Sequence, residues 1–175
     1  AATKVLTGGL LYGVCMLYRH EAYDWRLIAM ATTACGVANL LIIFHLVNFD
    51  PLYVAWMKNM PLTLLKRYAQ FLTVLTIFLI PEWVVFIRNF PEHLGAGWMI
   101  LIILYARGLC AFFLGFLHTG DSGLESFTRQ TFWIFTALIL AVLFKVPLII
   151  LTLSAFVGGW VLFRRNYYLH EPAKR

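Results

Sequence analysis

Apolar residues run in blocks of helical length, separated by short polar stretches. Blocks at 4–18, 27–48, 69–87 and 98–118 precede a longer one, 130–163, which Lys145 and Pro147 interrupt. A helix crosses a bilayer core with about 20 apolar residues. Proline removes a helix hydrogen bond. The last block therefore reads as two spans, 131–144 and 147–163. The pattern predicts an all-α, polytopic transmembrane bundle of about six spans; one kinked, tilted helix over the last block would make five. Turn residues mark the connections: Pro91 and Gly95 in one, Gly120, Asp121 and Gly123 in another. No repeat or long linker divides the chain, so residues 1–175 form a single transmembrane domain.

Composition supports this reading. Of 175 residues, 62% are hydrophobic and 13% charged, against about half and a quarter in soluble domains. That balance excludes a soluble domain and a disordered chain. There is no P-loop or dinucleotide-binding glycine motif. The net charge of +6 reads as basic flanks facing anionic lipid rather than as a nucleic-acid surface. With six spans, Lys4, Lys58, Lys66, Arg67, Arg129, Arg164, Arg165, Lys174 and Arg175 share one side. Arg19, Arg26, Arg88 and Lys145 share the other. The positive-inside rule then places both termini in the cytoplasm. Cys15, Cys35 and Cys110 lie in apolar runs and read as packing residues. A start at Ala1 suggests processing or a segment of a longer chain. The run 5–18 has the look of a signal-peptide core, but without a clean cleavage site after it the reading keeps it as a span.

Three features could carry chemistry. The first is the cytoplasmic segment 51–68, with apolar residues at near-helical spacing, the charges Lys58 and Lys66, and neighbouring Arg67. It reads as an amphipathic surface anchor or as a docking element built on Trp56, Lys58, Pro61, Lys66 and Arg67. The second is Glu82, which follows Pro81 inside the third span. A carboxylate at membrane depth calls for a partner. Arg107 of the fourth span falls at a similar depth, so the two read as an intramembrane pair, a structural clamp or a polar site on a path. The third is His45 with His118, near the same ends of two spans, as axial ligands of haem b would be; helix-end capping and interhelical hydrogen bonds are the simpler account of both. The chain has no catalytic motif such as HExxH or GxSxG, and no metal site suggests itself. Small-xxx-small pairs, among them Thr32/Gly36, Ala111/Gly115, Ser154/Gly158 and Ala155/Gly159, predict close helix approach.

The order of features resembles the membrane-spanning half of ABC-2-type export permeases. Two spans precede NMPLTLLKRYAQFL at 59–72; a span bearing IPEW at 80–83 follows; a basic tail, RRNYYLHE, stands at 164–171. Pro61, Leu62 and Thr63 with Lys66 and Arg67 occupy the place of a family phrase after the second span. The first span is short and no large extracellular loop is present, both departures from the family. The resemblance implies an oligomeric permease in a bacterial inner membrane. It also implies that 52–67 is a coupling helix for a separate ATPase chain. The alternatives are a haem-binding anchor or an accessory structural subunit of a redox complex.

Overall fold

The computed structural model describes residues 2–18, 23–40, 42–44, 63–91, 94–117 and 124–167, the last from 128 onward with side chains. These residues form six helices and no strand. In chain order they are α1 (Ala2–Leu17), α2 (Trp25–Ala38), α3 (Leu64–Arg88), α4 (Gly95–Leu117), α5 (Leu124–Leu143) and α6 (Leu148–Asn166). Three of them, α3, α4 and α6, are long and apolar enough to cross a membrane. The 25 residues of α3 reach about 37 Å at the helical rise. The others have shorter apolar stretches, Ala2–Leu17, Trp25–Ala38 and Thr128–Leu143.

Polar residues are accommodated within these helices by bonding back one turn. The hydroxyls of Thr32, Thr33, Thr73, Thr76, Thr136 and Thr152 each donate to the carbonyl four residues earlier. This gives each hydroxyl a partner within its own helix. The large apolar side chains on the outside, including Val5, Ile77, Val84, Phe132, Trp133, Leu153 and Val157, form a surface compatible with hydrocarbon.

The core gathers on α4, where Tyr105, Leu109, Phe113 and Leu114 are fully buried. Its closest partner is α6. A Cβ on Gly115 would overlap the Gly159 carbonyl, and one on Gly159 would overlap the Ala111 carbonyl. The backbones thus touch along the small-residue stripes Ala111/Gly115 and Ala155/Gly159, as that spacing predicts. A Cβ on Gly158 would lie 3.4 Å from the Phe112 ring, and one on Gly36 would lie 3.4 Å from the Leu109 side chain.

The two ends of the bundle are fixed by a few contacts. At one end, Trp25 of α2 stacks on Trp98 of α4, and Arg26 donates to the Leu143 carbonyl of α5. At the other, buried Arg67 of α3 meets Tyr167, just past α6, through a hydroxyl hydrogen bond and its ring.

Helix boundaries differ from the sequence reading at several points: α3 begins at Leu64, five residues before the predicted span 69–87, so the end of segment 51–68 is part of that helix, and α6 runs on to Asn166. The predicted span 27–48 is distorted at Asn39. Its side-chain amide donates to the Cys35 carbonyl beside its own backbone N–H, and the Asn39 carbonyl accepts from both Ile42 and Ile43, so the helix is distorted there while the ladder continues. The chain turns there and is helical again at Leu40 and 42–44. The predicted span 131–144 forms the second part of a longer helix, α5, which begins at Leu124 with polar turns and ends at Leu143. The division at Lys145 and Pro147 appears where the proline requires it. Lys145 has φ 61°, its N–H bonds the Val142 carbonyl, and the Val146 N–H bonds the Ala141 carbonyl. That is a Schellman cap with lysine in the position glycine usually holds, and Pro147 then starts α6.

Candidate functional site: a charged cluster inside the bundle

Three helices bring one carboxylate its partners. On α1, Thr7, Leu11 and Cys15 are buried at four-residue spacing, so one stripe of α1 faces inward. Lys4 continues that stripe. Just past α2, Asn39 occupies the distorted turn. On α3, Glu82 is buried in the turn that Pro81 deprives of a backbone donor. The Lys4 ammonium reaches Glu82 Oε1 at 2.7 Å and the Phe78 carbonyl at 2.7 Å. Thr7 Oγ1 donates to the same carboxylate oxygen at 2.8 Å, and Asn39 Nδ2 does so at 3.3 Å. Rotating the Asn39 amide would set its oxygen against two acceptors, the Cys35 carbonyl and Glu82, so this network settles its orientation.

The arrangement is one-sided. Oε1 of Glu82 has three donors, while Glu82 Oε2 and Asn39 Oδ1 are buried without a partner among the described residues. Glu82 is 2% exposed and Asn39 4%. Lys4 is less enclosed: its side chain is 22% exposed against 3% for that of Glu82. A cavity of about 30 Å³ adjoins Glu82 and Trp83, bounded by Leu11, Gly36, Ile103 and Ala106 among others. A smaller one of about 10 Å³ lies against Lys4, Asn39 and Phe78.

Glu82 is therefore paired, but the pair with Arg107 that the sequence suggests is not the one formed. The α4 residues lining the Glu82 cavity are Ile102, Ile103, Ala106 and Cys110. Arg107 is turned about 100° from Ala106. It shares a stripe with Ala111, whose carbonyl lies against Gly159 of α6. Sequence neighbours α3 and α4 do pack together, but Glu82 faces α1.

Sequence reasoning missed Lys4, Thr7 and Asn39. Lys4 reads as a flanking charge because it sits at the edge of its apolar block. Its spacing of three from Thr7 and seven from Leu11 is the signal that could have placed it inward. Among the docking residues, Lys66 is exposed, while Arg67 is 8% exposed and bound to Tyr167, so it serves packing between α3 and the end of α6. Trp56, Lys58 and Pro61 lie outside the described residues, as do most of segment 51–68 and both His45 and His118. Cys15, Cys35 and Cys110 are free thiols.

No protein-family model, curated protein or solved structure matches the chain.

Proposed function

We propose that the chain is a permease-like subunit of a membrane transport system, worked by a separate ATP-hydrolysing chain. The observation that supports this is the Lys4–Glu82 cluster, set where the helix distorts at Asn39 and α3 carries Pro81. Ionisable residues inside a spanning bundle mark paths and sites by default. Interrupted helices at membrane depth are tolerated where backbone groups line a polar site. In this reading the six helices each span, both termini are cytoplasmic, and segment 51–68 with exposed Lys66 meets the ATPase.

The test is purification in mild detergent with mass spectrometry of whatever co-purifies. A stoichiometric P-loop ATPase is the expected result, and Lys66→Glu should release it while leaving the chain in the membrane. Arg67 is unsuitable for that test, because its reversal would break the contact with Tyr167. Redox subunits or a haem Soret band in place of an ATPase would overturn the proposal.

A further inference from the structure

We propose that Glu82, Asn39 and the Phe78 carbonyl, with Thr7 holding the carboxylate, form a binding site for an ammonium-type monovalent cation, and that Lys4 is its tethered occupant. The site can be stated without the transport reading, since it rests on the cluster alone.

The acceptors are those a primary ammonium requires. Lys4 Nζ carries three donors. Two are accounted for by Glu82 Oε1 and the Phe78 carbonyl, each at 2.7 Å. Asn39 Oδ1 stays without a donor although Lys4 and Asn39 line the same small cavity. A lysine stem fixes where its ammonium sits. A free ammonium ion of the same chemistry has no stem and can settle toward the acceptor that Lys4 leaves unmet. Anions are excluded, because the buried formal charge facing the site is the Glu82 carboxylate. A bulky quaternary cation lacks the N–H donors these oxygens need. Access also fits: Lys4 is the partly exposed member and Glu82 the enclosed one, so the lysine side chain covers the carboxylate as a plug would. Its removal leaves a buried carboxylate and an unpaired amide oxygen, a combination costly enough that the carboxylate must take up either a proton or another cation.

The test uses the full chain in lipid nanodiscs, comparing wild type with Lys4→Ala and Lys4→Met. Each is titrated with methylammonium chloride, tetramethylammonium chloride and sodium chloride at matched ionic strength. We expect both variants to melt below wild type and to recover with methylammonium in a saturable way, by about 3–6 °C at ten times the half-saturating concentration. Tetramethylammonium should have no such effect, and wild type, already occupied, should not respond. Asn39→Ala added to Lys4→Ala should raise the half-saturating concentration several-fold. Where a variant is too unstable to melt cleanly, the monodisperse yield on size exclusion with methylammonium in the extraction buffer serves as the readout. Equal recovery with tetramethylammonium would reduce the effect to charge screening and overturn the site. So would no recovery with any cation. Recovery with sodium alone would overturn the ammonium assignment.

Discussion

At the scale of residues, the Lys4–Glu82 pair ties α1 to α3 by opposite charges in a region with little water to screen them. The value of such a pair is measured by what happens when one member is left alone. Breaking a buried pair from one side typically costs about 3–5 kcal/mol, whereas replacing both members with apolar groups can be nearly neutral. Lys4 keeps partial exposure, which softens the loss when Glu82 is the residue removed, since the ammonium can turn outward. Glu82 has no such escape. Lys4→Met should therefore destabilise more than Glu82→Leu, and the double variant should be more stable than Lys4→Met alone. A double-mutant cycle by reversible unfolding in mixed micelles checks this, and strict additivity would show that the two charges are uncoupled. The need for a partner at Glu82 was legible in the sequence, because a charge inside an apolar block has few other ways to exist. The partner's identity was not. It depends on which face of α3 meets which helix, and α1 is some 75 residues away in sequence.

At the scale of elements, two features follow from backbone geometry and were readable beforehand. The α5–α6 turn announces itself through Pro147, since proline can begin a helix but not continue one. What the proline does not reveal is that Lys145 takes the left-handed conformation. A non-glycine residue there pays roughly 1 kcal/mol or more. Lys145→Gly should thus raise stability by about 1 kcal/mol, and the β-branched Lys145→Ile should lower it, as measured by thermal unfolding. The α4–α6 seam is the second feature. Alanine at Gly115 or Gly159 would drive a Cβ into backbone atoms that have no rotamer to retreat into. Each substitution should cost more than about 2 kcal/mol. Gly158→Ala meets only the edge of the Phe112 ring at ordinary contact distance, and should be neutral or stabilising by up to about 1 kcal/mol. If all three behaved alike, seam geometry would not be what sets the effect, since alanine raises helix propensity equally at each of these positions. The distortion after α2 escaped the sequence reading for a physical reason. Asn39 is one polar residue in an apolar run, and hydropathy averages it away, whereas its side chain bonds the Cys35 carbonyl and Glu82 at the point where the helix distorts.

At the scale of the whole molecule, the contacts at each end order the helices in a way that hydropathy alone could only suggest. Trp25 on Trp98 and Arg26 on the Leu143 carbonyl gather the start of α2, the start of α4 and the end of α5. Arg67 on Tyr167 gathers the start of α3 and the end of α6 at the opposite end. Lys66, Arg164 and Arg165 accompany this second end, while Arg26 and Lys145 mark the first. Lys4 drops out of the flanking charges, because it belongs to the internal cluster, yet the excess of basic residues stays on the same side. If every helix spans with both termini inside, cysteines substituted at Lys66 and Arg165 should be shielded from a membrane-impermeant maleimide in intact cells. A cysteine at Lys145 should react. The background would have Cys15, Cys35 and Cys110 replaced by alanine or serine, a mild change for small buried thiols. Labelling of Lys66→Cys and Lys145→Cys from the same side would mean that α3 and the α5–α6 turn do not lie across one membrane. The coupling role for Lys66 would then fall, because the docking end of the bundle would no longer be separated from the turn by the bilayer. The Lys4–Glu82 cluster would remain intact under either result, since it rests on contacts among α1, α2 and α3 and on no assumption about which end faces the cytoplasm.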